Sequence, residues 1–263
     1  MVFAPVGIRC PDHAGQQARP RQSRAPVHVP GFLTSLGAAY VTRALVILNA
    51  GVFFVNLAQG ASLGNNGGAL FIDGALIGRG QLVSGEMIGV AEGEWYRMIT
   101  AMFLHGSLVH LVVNMVMLYW IGSPVEQAVG HLRFLLIYFV SGLCGSAGAL
   151  MLTDPNAITV GASGAIFGIL GAALVYERQR TFVLGGSALS IIVINLVLTF
   201  AIPNISIGGH IGGLIGGAGC GLALSRMGRV HAAYGRPGLL GFAGVAVVAL
   251  AAVVASYFTV QNY

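Results

Sequence analysis

The chain has 263 residues, 56% hydrophobic and only 8% charged, with a mean hydropathy of +0.83. Soluble domains carry about 25% charged residues, so this composition excludes an ordinary soluble domain and specifies an integral membrane protein. The net charge of +5 comes from thirteen arginines gathered in the N-terminal tail and short loops, which marks topology and excludes a nucleic-acid-binding stripe.

In chain order, residues 1–34 are polar and rich in Pro, Arg and Gln, and read as a disordered cytoplasmic tail. They hold no apolar stretch ahead of a small-residue cleavage site, so no cleavable signal peptide is expected. A bilayer core needs about 20 mainly apolar residues per helix. About seven candidate spans fit, near 36–58, 107–122, 132–152, 162–177, 182–202, 207–225 and 238–258. The predicted fold is all-α: a polytopic helical bundle with a core over 35–226, followed at 227–263 by a linker and an extra C-terminal helix. Residues 59–106, between the first two spans, form a long, moderately polar connection; its interleaved glycines, acids and aromatics predict short helices in the membrane interface.

Arginine sets the orientation. Arg9, Arg19, Arg21 and Arg24 precede the first span, Arg133 follows the second, Arg178 and Arg180 the fourth, and Arg226, Arg229 and Arg236 the sixth. The alternate loops hold only Arg79 and Arg97 among five acids. The positive-inside rule therefore puts the N-terminus in the cytoplasm and the C-terminus outside. Cys10, Cys144 and Cys220 are scattered, with neither metal-site nor disulfide spacing, and no metal or other cofactor is expected.

Polar side chains at bilayer depth are costly and need a partner or a purpose. His110 and Asn114 open the second span four residues apart, on one helical face. Alone, they read as two aligned donors or as an interhelical polar clamp. Ser163 stands between Gly161 and Gly164 at the start of the fourth span, where backbone N–H groups lack internal partners; alone, it reads first as a small packing residue. In "IGGHIGGLIGGAGCG", Gly209, Gly213, Gly217 and Gly221 recur every four positions, with Gly208, Gly212 and Gly216 beside them. Such a face brings a neighbouring helix close to backbone contact. If it mates with the small-residue row at 164, 168 and 172, His210 faces Ser163. A nucleophile, a base and a donor pair at one depth together point to acyl-transfer chemistry. His105 and His131 read as structural, Glu126 as a clamp on neighbouring backbone, and Asn195 as an interhelical hydrogen-bonder.

From about residue 36 to 226 the chain resembles the rhomboid family of intramembrane serine proteases. The resemblance rests on "EWYRMITAMFLHGSLVHLVVNM", the GxxxE at Gly122–Glu126, "GASGAIFG" and "GGHIGGLIGG", in family order. It implies a Ser163–His210 dyad, with His110, Asn114 and the Ser163 backbone N–H as oxyanion hole, and Gly161, Phe167 and Gly209 in support. The implied substrates are membrane-anchored proteins cut in or near their transmembrane segments in the lipid bilayer, with the site toward the extracytoplasmic side; neither a nucleic acid nor a particular oligomeric state is implied. A Tyr96-Arg97 pair stands where many members have Trp-Arg, and Phe167 where some carry tyrosine. The alternatives are an inactive rhomboid-like protein that binds transmembrane clients, and a small transporter, which would carry charges at span centres.

Overall fold

The computed structural model describes residues 2–4, 7–9, 39–64, 68–179, 181, 183–226 and 238–263. Within the tail, Val2–Ala4 pairs antiparallel with Gly7–Arg9; the rest of the expected disordered segment lies outside the described residues. Ala38–Tyr263 forms a separate compact unit.

Among the described residues, seven long helices build that unit: α1 Tyr40–Ala58, α2 Leu108–Val129, α3 His131–Leu152, α4 Ser163–Arg178, α5 Ala188–Ala201, α6 Ile207–Arg226 and α7 Leu239–Val260. Among the described residues, α1, α2, α3, α6 and α7 are long and apolar enough to cross a membrane. The two remaining apolar helices are shorter. The α4 helix has 16 residues and α5 has 14, so they reach only about 24 and 21 Å at 1.5 Å per residue, against about 30 Å of hydrocarbon. The shortness of α4 is tolerable because it is sheathed by protein: Ala165 to Ala173 are all buried.

Glycine decides how closely the helices pack. A Cβ on Gly213 or Gly217 would run into the backbone of Gly164 or Gly168, and one on Gly221 would lie 3.0 Å from Ala172 Cα. The second glycine row of α6 meets α3 instead: Cβ atoms on Gly208 and Gly212 would strike the carbonyls of Gly148 and Cys144. Thus α6 is wedged between α3 and α4, one row against each.

The second helix overruns its expected end near 122 and reaches Val129, with Pro124 inside it. Glu126 gives the extra turn a use. Its carboxylate, fully buried, accepts the N–H groups of Val41 and Thr42 (2.9 and 2.7 Å) and the Thr42 hydroxyl (2.6 Å). It therefore caps the start of α1, where unpaired N–H groups and the helix dipole favour an anion. His131 Nδ1 lies 2.5 Å from Oε1, the oxygen that also accepts the Val41 N–H. A one-residue turn at Gly130, φ +87°, then reverses the chain into α3.

The long connection is structured. Besides the expected short helices, Ala69–Gly74 and Arg97–Thr100, it holds a small hairpin pairing Gly80–Gln81 with Met87–Ile88. Arg97 is 2% exposed; it donates to the carbonyls of Ile72 (2.7 Å) and Ala75 (2.9 Å) and to Glu94 (2.7 Å). Burial pushes the Glu94 carboxyl upward, but Arg97 and the Gly89 N–H outweigh it and hold it below the usual carboxylate range. Leu76, Val90, Met98 and Ala101 pack with Ala147 and Leu150 of α3 and Ala252 of α7. Trp95 stacks on Tyr257 of α7 at 6.5 Å.

Candidate active site

Ser163 is the first residue of α4, at the same end of the bundle as the starts of α2 and α6. The turn before it is pinned to the long connection: Thr159 and Leu76 exchange backbone hydrogen bonds, and Gly161 N–H donates to Ala101 O at 2.9 Å. Gly161 has φ +123°, a conformation that L side chains rarely adopt.

His210 lies one turn into α6. Ser206 caps that helix, its hydroxyl accepting the Gly209 N–H at 3.0 Å. A Cβ on Gly164 would sit 3.2 Å from the Gly209 carbonyl, so helix contact at Gly209 sets how closely His210 approaches α4. The result is a 2.8 Å contact between His210 Nε2 and Ser163 Oγ. Phe167, one turn below the serine, stacks on the imidazole at 4.1 Å and 18°, fixing its plane.

The other imidazole nitrogen has a partner that the sequence did not single out. Thr199 Oγ1 lies 2.7 Å from His210 Nδ1 and also donates to Asn195 O at 2.7 Å. The available signal was Asn195 and Thr199 four apart in the otherwise apolar "IIVINLVLTFA". Asn195 does not reach across to another helix as expected; its amide donates to Ile191 O in its own helix at 2.8 Å, satisfying it locally.

Ser107 caps α2 and accepts the His110 N–H at 3.2 Å. Gly106 N–H donates to His110 Nδ1 at 3.3 Å, so in the neutral ring the proton sits on Nε2 and that nitrogen is a donor. Nε2 lies directly over Gly161, 2.8 Å from where a Cβ would stand. Asn114 spends one amide hydrogen on His110 O at 2.8 Å, which leaves its second available. His105, 1% exposed, packs edge-on against His110 at 5.1 Å.

Ser163, His210, His110, Asn114 and Thr199 all line one cavity of about 510 Å³, floored by apolar side chains including Met117 and Leu170. It therefore brings together a hydroxyl, an imidazole nitrogen within hydrogen-bond reach of it, and two side-chain donors. That combination can activate an oxygen nucleophile and receive a developing oxyanion.

Comparison with known proteins identifies the family. A family model described as a rhomboid domain matches residues 92–227. The chain is 44% identical over 133 residues to rhomboid protease GluP of Bacillus subtilis (strain 168), covering 49% of this chain and 26% of that protein. It is 34% identical over 139 residues to the putative rhomboid protease YdcA of the same organism, covering 51% and 70%. RHOMBOID-like protein 5 of Arabidopsis thaliana is 38% identical over 162 residues, covering 57% and 51%. The chain thus spans from about a quarter to about two thirds of these relatives. With more than half of its length matched by the domain, the polytopic helical membrane protein described here belongs to the rhomboid family.

Proposed function

We propose that this protein is an intramembrane serine endopeptidase, with Ser163 as nucleophile and His210 as general base. The observation that carries the reading is the 2.8 Å Ser163–His210 contact inside a mainly apolar cavity that His110 and Asn114 also line. Ser163 Oγ attacks the substrate carbonyl carbon while its proton passes to His210 Nε2. The carbonyl oxygen becomes an oxyanion, received by His110 Nε2–H, the free Asn114 amide hydrogen and the Ser163 backbone N–H. Collapse breaks the C–N bond, and the imidazolium returns its proton to the leaving amine. Water, deprotonated by His210, then hydrolyses the acyl-enzyme and frees Ser163.

The substrates are membrane-anchored proteins whose transmembrane segment unwinds locally, because a helix otherwise shelters its carbonyls in its own hydrogen bonds. The site lies toward the extracytoplasmic side. Arg43, Arg133 and Arg178, near the start of α1, the start of α3 and the end of α4, support this, since Ser163 opens the opposite end of α4.

Labelling with a fluorophosphonate probe tests the proposal. The wild type is expected to label, and Ser163→Ala and His210→Ala to lose labelling together with cleavage of a transmembrane reporter. A folded wild type that neither labels nor cleaves, yet retains reporter binding, would leave the client-binding reading in its place.

A further inference from the structure

We propose that Thr199 is a positioning residue that sets the protonation pattern of His210; the proposal rests on the protease reading above. Thr199 has one hydroxyl hydrogen and two polar neighbours, the Asn195 carbonyl and His210 Nδ1, each at 2.7 Å. A carbonyl can only accept, so donation to Asn195 O leaves Oγ1 as an acceptor toward the ring. Nδ1 then carries the ring proton, and Nε2 presents its lone pair to the Ser163 hydroxyl at 2.8 Å. Every donor in this relay has an acceptor: Ser163 O–H to Nε2, Nδ1–H to Thr199 Oγ1, and Thr199 O–H to Asn195 O.

When Nε2 takes the serine proton, the Nδ1–H bond to Thr199 needs no rearrangement. Thr199 is 3% exposed, so water does not easily substitute for the hydroxyl. Without it, a buried Nδ1–H loses its acceptor, and the ring shifts toward the tautomer protonated on Nε2, which cannot act as base. Thr199 supplies for an uncharged relay what a carboxylate supplies in a triad, namely ring orientation and tautomer, and it touches no substrate atom.

The test compares wild type, Thr199→Val and Thr199→Ser in the full-length protein. Turnover of a transmembrane reporter is read alongside thermal unfolding and the ¹⁵N NMR signals of His210 in histidine-labelled protein. Valine keeps the branched shape without the hydroxyl, and serine keeps the hydroxyl. We expect Thr199→Val to lower kcat about tenfold or more at unchanged KM, as partial loss of general-base catalysis requires. Its NMR signals should move toward the Nε2-protonated form, and Thr199→Ser should restore both readouts. If Thr199→Val fails to fold, Thr199→Ala makes the same comparison. Wild-type turnover in Thr199→Val, equal damage in Thr199→Ser, or an unchanged tautomer across the series overturns the proposal. Failure of the protease reading is distinguishable, because it appears as a wild type that does not label at Ser163, while the NMR comparison still reads Thr199 directly.

Discussion

Two histidines face the same cavity with opposite hydrogen-bonding characters, and in each case a neighbour sets the character. Gly106 N–H occupies Nδ1 of His110 and leaves Nε2 as a donor; Thr199 beside Nδ1 of His210 leaves Nε2 free to accept. Gly161 makes room for the first of them. In Gly161→Ala the methyl would lie 2.8 Å from His110 Nε2, on a backbone at φ +123°, so the imidazole must swing away. Losing one oxyanion donor costs about 10²–10³ in turnover, and Gly161→Ala is expected to show a loss of that order in kcat. Fluorophosphonate labelling kinetics and a reporter assay would check it; Asn114→Ala should behave similarly. Ser163, His210, His110 and Asn114 were legible because polar groups are conspicuous in an apolar chain. Thr199 was not singled out, since a helical threonine can satisfy its hydroxyl on its own i−4 carbonyl, and its spacing from Asn195 was the one faint signal.

Among elements, the glycine rows of α6 decide the packing. A Cβ at Gly217 would overlap the Gly168 backbone, whereas one at Gly219 meets only the Val248 side chain at 3.1 Å. Gly217→Val is therefore expected to destabilise the bundle by about 3 kcal/mol or more, and Gly219→Val by much less, as read from unfolding in a denaturing-detergent series. The α5 helix is held differently at its two ends. Glu177 accepts the N–H groups of Leu184, Gly186 and Ala188 at its start, while Thr199 ties its far end to His210. Glu126 plays the corresponding part for α1. Glu126→Ala removes a charged acceptor from two N–H groups and a hydroxyl, and should cost roughly 2–4 kcal/mol in the same measurement. The sequence placed all seven helices through their apolar runs. It placed α4 correctly and overran only the start of α5, read from 182 and found at Ala188, because Gly185 and Gly186 take positive φ and hold the chain in a turn there.

At the scale of the molecule, the long connection buttresses the site. It holds the turn before Ser163 through Leu76–Thr159 and Ala101–Gly161, and is itself pinned by Arg97 and Glu94. Because the Glu94 carboxyl is held below its ordinary value, its contribution is fully present above about pH 4.3, the unfolded value. It is lost as pH falls through the folded value. Protection of the amides around Ile72 and Ala75, relative to their intrinsic exchange rates, should fall as pH drops below the unfolded carboxyl value, and Glu94→Gln should remove that dependence while leaving the segment less protected at neutral pH. The α7 helix joins the same buttress through Trp95–Tyr257 stacking and the Tyr263 carbonyl, which accepts from Arg79 at 2.7 Å.

The amino-acid sequence alone determined that the chain lives in a membrane, where its helices run, and which polar residues are too costly to be there without reason. Each of these follows from transfer free energy and helical period, which are local properties. Only the tertiary structure decided that the two glycine rows of α6 serve different partners, that Arg97 is a buried clamp, and that His210 has Thr199 behind it. Those depend on distances between segments far apart in the chain, and no local pattern carries them.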